Sequence, residues 1–164
     1  MANITIQDRA IGAIMGAYIG DALGLGPHWY YNLDELRQQY GPWINDYTDP
    51  QADRYHGGMK AGQQSQSGLI LNMLVDSIIA YDDYNEADFC HRLDTELFPL
   101  LDGTPNVGPG GFTSQSIREA WALRTQHNKP WGQVAGFTDN TEAAERTLAL
   151  AVRYATNPSK LASA

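Results

Sequence analysis

Cysteine is almost missing from this chain: Cys90 stands alone among 164 residues. A single thiol excludes an internal disulfide framework and fits a reducing compartment, so a cytoplasmic location is expected, with Cys90 a small buried hydrophobe. Positive charge is scarce too. Eleven Lys and Arg stand against nineteen Asp and Glu, a net charge of −8, and the basic residues form no cluster. Nucleic acid, whose phosphates demand clustered cations, is thereby excluded as a partner. Long apolar runs are also lacking. The stretch before Asp21 extends only from Ile11 to Gly20, short of the roughly 20 residues that span a bilayer. Asp8 and Arg9 cancel where a secretory leader would be positive, so neither a membrane span nor a signal peptide is expected. Strand-like alternation, repeats, low-complexity tracts and linkers are missing as well, which leaves one all-α domain over residues 1–164, large enough for a real core.

Glycine, by contrast, recurs at one spacing: Gly12, Gly16, Gly20 and Gly24 in IGAIMGAYIGDALGLG, with Asp21 the only acid in the run. Residues four apart share a helix face, so these positions form a stripe without side chains. Interior helical glycines cost about 1 kcal/mol each relative to alanine, a penalty that close approach of a backbone or ligand would offset. Two readings follow. In one the stripe serves helix packing and Asp21 ends the helix beside Gly24; in the other Asp21 faces a pocket.

Further along, Asn32 caps LDELRQQY, which stops at Gly41 and Pro42. A loop from Trp43 to about Gln64 is longer than usual connections and is a candidate site wall. From Ser67 or Gly68, LILNMLVDSIIAY reads as the central helix, buried on most sides. Asn85 and Asp88 open the next helix, which runs through Phe89, Leu93, Leu97 and Leu100 to the breaker cluster DGTPNVGPGG, a second site-like loop. Thr113 or Ser114 caps SQSIREAWALRTQ, and DNTEAAERTLALAVRYA forms one long helix opened by an Asp139 to Glu142 capping box. Asn157 and Pro158 end it, and SKLASA begins another turn.

No phosphate-binding loop, H-E-x-x-H, G-x-S-x-G, paired cysteines or dinucleotide fingerprint occurs. His91 and His127 fall on or near helices, where capping or solvent exposure accounts for them, whereas His28 and His56 lie in the loops beside the presumed site and are candidate ligand contacts. Hydroxyls, amides and loop N–H groups of Ser65, Gln66, Ser67, Gly110, Gly111, Thr113, Ser114, Gln115 and Ser116 suit a ribose or pyrophosphate better than they suit acid–base catalysis. Helix capping is the alternative role of Ser65, Ser67 and Ser114.

At these residues the chain resembles the ADP-ribosylglycohydrolases, a family that includes the J-type lens crystallins. GAIMGAYIGDALG is similar to that family's opening helix, and GPGGFTSQSIREA to its ligand loop and the following arginine-bearing helix, here with Arg118. The order of segments agrees along essentially the whole chain. The resemblance implies a compact orthogonal helical fold that hydrolyses ADP-ribosyl linkages, with two magnesium ions holding the ribose hydroxyls and Asp21 as the retained carboxylate. In the family a Thr-Asp-Asp triplet opens the buried helix and binds metal; Ser65, Gln66 and Ser67 occupy those positions here. No metal ligands are therefore expected, and magnesium binding is expected to be weak or absent. The family's C-terminal helices and their acids have no counterpart before Ala164, so a fold truncated on that side is expected, its uncovered surface a candidate for contact with a second copy. Two functions stay open: a hydrolase with a degenerate metal site, or a catalytically silent protein that binds ADP-ribose or a nucleoside or serves as a structural crystallin-like protein.

Overall fold

The computed structural model describes residues 3–106 and 108–164, and helices are the only regular elements among them. Eight α-helices follow in order: α1 (Ile6–Leu25), α2 (Leu33–Tyr40), α3 (Gln66–Tyr81), α4 (Glu86–Arg92), α5 (Gln115–Thr125), α6 (Glu142–Arg146), α7 (Leu148–Arg153) and α8 (Pro158–Leu161). The fold class is all-α, as the three- and four-residue periodicity requires. No described helix is long and apolar enough to cross a membrane.

Helix α3 is central because its two sides enter two separate cores. Ile70 joins Leu93, Leu97, Phe98, Leu101 and Ala120 on one side. Leu71, Leu74 and Ile78 join Ala149, Leu150 and Tyr154 on the other, with Ile14, Ala17 and Tyr18 of α1 packed against them. Burial is less complete than the sequence suggests, since Ile79 is 73% exposed. Cys90 is likewise only half-buried.

Local chemistry sets the helix starts. Thr5 and Asp8 form a reciprocal capping box on α1, Asn32 caps α2, Ser65 caps α3 and Asn85 caps α4. After α4 the chain widens into a π-turn over Leu93–Leu97 and tightens into a 3₁₀ turn over Phe98–Leu100, which carries Pro99. The long C-terminal helix expected from sequence is instead broken: α6 and α7 are separated at Thr147, whose ψ of 4° leaves the helical range. Its expected capping box is not formed either. Asn140 rather than Asp139 accepts the Glu142 N–H, and Glu142 turns inward to Ser116 and Arg146.

The glycine stripe also differs from expectation. A side chain added at Gly12, Gly16, Gly20 or Gly24 would meet nothing within 4 Å, so no backbone closes on this face, and α1 runs through Gly24 to Leu25. Packing uses the opposite side, through Ile14, Ala17, Tyr18, Ala22 and Leu25. Asp21, one step off the stripe, is carried toward α3. Because the stripe is open, Gly16→Ala is expected to stabilise the chain by about 0.5–1 kcal/mol through helix propensity alone. Thermal unfolding checks this; a loss of stability would contradict an unoccupied stripe.

Candidate functional site

Three loops meet at the start of α3. The first follows α1 and carries His28 and Trp29, the second ends at Ser65 and carries Tyr55 and His56, and the third carries Gly110, Gly111, Phe112 and Thr113. Asp21 holds this point from α1. Its carboxylate accepts the Ser65 N–H at 2.8 Å and the Ser65 hydroxyl, while the Ser65 oxygen accepts the Ser67 N–H at 3.2 Å. One carboxylate thereby fixes the residue that caps the central helix, at the end where the helix dipole favours negative charge. Gly68 sits directly behind it: a Cβ there would lie 2.5 Å from Asp21 Oδ2.

Gln66 is 3% exposed. Its amide donates to Pro109 O at 3.4 Å and to Thr113 Oγ1 at 3.3 Å, whereas its buried Oε1 has no partner among the described residues. Gly110 and Gly111 adopt φ of 80° and 76°, the region that favours glycine. Both press on the site, since a Cβ on Gly110 would meet the Gln66 backbone and one on Gly111 would lie 2.7 Å from His56 Nδ1. The Thr113 N–H donates to Pro105 O, and its carbonyl accepts from Arg118.

His28 and His56 are bonded to each other. His28 Nδ1 lies 2.9 Å from His56 Nε2, and the ring centroids are 5.1 Å apart with planes inclined by 21°. A ring nitrogen lies a little over an ångström from its centroid, so this centroid separation is nearly the largest that the N···N distance allows. The rings therefore lie edge to edge in almost one plane, with the nitrogens head-on. That is the geometry of one N–H···N bond. Loss of water around the ring, and then its neighbour His56, hold His28 down to about 4; loss of water lowers His56 as well, against the pull of Asp21. Beside the pair Trp29, Tyr55 and Phe112 pack ring on ring, with centroids 4.3 to 5.2 Å apart.

The remaining hydroxyls form a second group at the start of α5. Ser114 occupies the cap position but makes no capping hydrogen bond with its side chain. Its hydroxyl instead pairs with Ser116 and accepts from Arg146, and Ser116 donates to Glu142 at 2.9 Å. Arg146 and Glu142 pair at 2.6 Å with both side chains 14% exposed. Burial raises the Glu142 carboxyl, but Asn140, Arg146, Ser114 and Ser116 together hold it below the usual range. Gln115 is separate from both groups: it is exposed and donates to Glu119 on its own helix. Sequence reasoning passed over Glu142 and Arg146 as site residues. Their opposite charges four apart were the available signal.

Two shallow grooves of about 310 and 320 Å³ lie elsewhere, one lined by Leu36 and Trp43 and the other by Cys90 and Trp131, and neither includes a residue from the start of α3.

The fold is all-helical, with a central helix that opens at a carboxylate-held polar centre beside a glycine-rich loop. The sequence profile described as ADP-ribosylglycohydrolase matches residues 2–164, and the chain belongs to that family, with the hydrolase-type domain this implies. No curated protein matches, and no solved structure matches.

Proposed function

We propose that this chain is an ADP-ribose- or nucleoside-binding member of the ADP-ribosylglycohydrolase family in which hydrogen bonding has replaced magnesium chemistry. The observation that carries this reading is the uncharged donor set at the start of α3, beside which each Asp21 oxygen already accepts one bond from Ser65. Magnesium requires hard oxygen ligands in near-octahedral array and depends on carboxylate charge. The donor set at the start of α3 does not fit that demand. Ser65 is a cap, Ser67 is a half-buried hydroxyl, and Gln66 supplies one uncharged orphan oxygen. Among the described residues no three His, Cys, Asp or Glu side chains stand close enough to hold a metal ion. Exchanging two carboxylates for neutral groups removes about two charges, each worth several kcal/mol at ~4 Å from a cation even at an effective dielectric of 20.

What the site offers a ligand is directional: the Ser114 and Ser116 hydroxyls, the Arg146 guanidinium that Glu142 pairs, and a glycine loop, with the Gln66 carbonyl oxygen buried. Such groups suit sugar hydroxyls and phosphate oxygens. The hydrolase reading keeps Asp21 as its carboxylate and would use the lone pair that each oxygen retains beside its bond to Ser65.

The test is thermal unfolding of the chain with ADP-ribose and magnesium, separately and together. ADP-ribose at about a hundred times its Kd adds roughly 2.7 kcal/mol, a rise of several degrees, and millimolar magnesium alone is expected to add nothing. The double variant Gln66→Asp, Ser67→Asp is expected to acquire magnesium-dependent stabilisation. Magnesium stabilising the unaltered chain, with release of ADP-ribose from a modified protein, would reverse the proposal in favour of the hydrolase.

A further inference from the structure

Helix α2 rests on the molecule by one side only, and none of its residues is buried. Two bonds anchor it there: the Tyr40 hydroxyl donates to Gly26 O at 2.7 Å, and Glu35 pairs with Arg54. Another side of the helix lines a groove. Leu33, Leu36 and Arg37 form one wall of this groove of about 310 Å³, and Pro42, Trp43 and Ile44 form the other. Gly41 makes the arrangement possible, since its φ of 83° ends the helix and turns the chain back along it. A groove of this volume can take one bulky side chain or a small ligand.

The surface around the groove is apolar and stands in water. Trp43 is 78% exposed and Leu33 58%, with Tyr31 at 85% two residues before Leu33. Single exposed leucines are ordinary, but an indole left in solvent beside an apolar groove has the composition of an interface centre. We propose that this face binds a second copy of the chain, in a two-fold pair in which Trp43 of each copy seats in the groove of the other.

Shape, charge and area each select a second copy as the occupant. A two-fold contact requires a patch complementary to itself, and here knob and groove lie side by side on one surface. The rim charges have the same property. Asp34 and Arg37 stand one helical turn apart, 3.3 Å from each other, and both reach well into solvent. A two-fold axis across this rim sets Asp34 of one copy against Arg37 of the other, and does so twice. Elsewhere the net charge of −8 makes two copies repel, so alternating signs at this rim favour one docking orientation over the rest. The exposed parts of Tyr31, Leu33, Trp43 and the 42% exposed Tyr47 amount to on the order of 500 Å². A standard interface takes about 800 Å² from each partner, so with the polar rim added the pair is a reversible dimer of modest strength.

The face includes no residue from the start of α3, so its test stands apart from the ligand reading. Sedimentation velocity of the whole chain over about 1–200 μM is expected to show monomer passing into dimer as concentration rises. Trp43→Ala is expected to raise the dissociation constant about tenfold or more with the thermal midpoint of the monomer unchanged. Asp34→Arg and Arg37→Asp, both at exposed positions, are each expected to weaken self-association by setting like charges face to face. An equimolar mixture of these two variants is expected to pair again, because each then meets the opposite sign. A chain that stays monomeric throughout, leaving the groove to a partner of other chemistry, would overturn the proposal. So would a dimer indifferent to Trp43→Ala, or charge variants that pair no better with each other than with themselves.

Discussion

Asp21→Asn is expected to cost about 2–3 kcal/mol of stability, since charge-assisted hydrogen bonds are worth roughly 1.5–3 kcal/mol and a buried donor left unpaired adds its own penalty. The carboxylate accepts two bonds from one residue, the Ser65 N–H at 2.8 Å and the Ser65 hydroxyl. An asparagine can accept only one of them. Its other arm is an amide N–H: against the Ser65 N–H it repels, and against the hydroxyl it can donate only if that hydroxyl turns its proton away and gives up its own acceptor. The defect then passes along the chain, because the Ser65 oxygen holds the Ser67 N–H and caps α3, the helix on which both cores are built. Urea unfolding with an unchanged slope is the appropriate measurement, and a loss below about 0.5 kcal/mol would show that Asp21 does not carry the start of the helix.

Gly110→Ala is expected to be at least as damaging, at about 3 kcal/mol, for a steric reason. With φ at 80° the residue occupies the left-handed region, which costs an L side chain roughly 1–2 kcal/mol before any contact is considered. The new Cβ would then lie 2.5 Å from Gln66 N and 2.7 Å from Gln66 Cα. These are backbone atoms of the first helical residue of α3, so neither can rotate away. The third loop must lift, and with it the Gln66 bonds to Pro109 and Thr113. Gly16→Ala supplies the contrast, as the same substitution in open space should stabilise. A drop in thermal midpoint for Gly110→Ala comparable to an ordinary surface change would refute the close packing of loop on helix.

Much of this architecture was legible in the sequence because caps and stops act locally. Asn32, Gly41 and Asn85 stand where their residue types require, and Ser65 is the cap although α3 begins at Gln66, one residue before the expected range; Asn157 and Pro158, expected to end a long helix, instead open α8, α7 having stopped at Arg153. The family, too, is written in local strings. What escaped is non-local. His28 and His56 were each candidates, but nothing in their spacing announces a bond across 28 residues. The outward glycine stripe could not be told from a packed one, since helical periodicity says which residues share a face and not what stands opposite. The break at Thr147 has a similar cause: good local propensity through TEAAERTLALAV gave way to two separate packing demands, α6 serving the serines of α5 and α7 the core between α1 and α3.

The bond from Asp21 to Ser65 carries a lesson about how such chains can be judged. The carboxylate that the family resemblance would make a catalyst also fixes the start of the central helix, so folding alone gives it a role. Its presence in the GDALG string is thus no certificate of activity. The informative quantity is how many of its lone pairs are still unspoken for, and here the scaffold has claimed one on each oxygen.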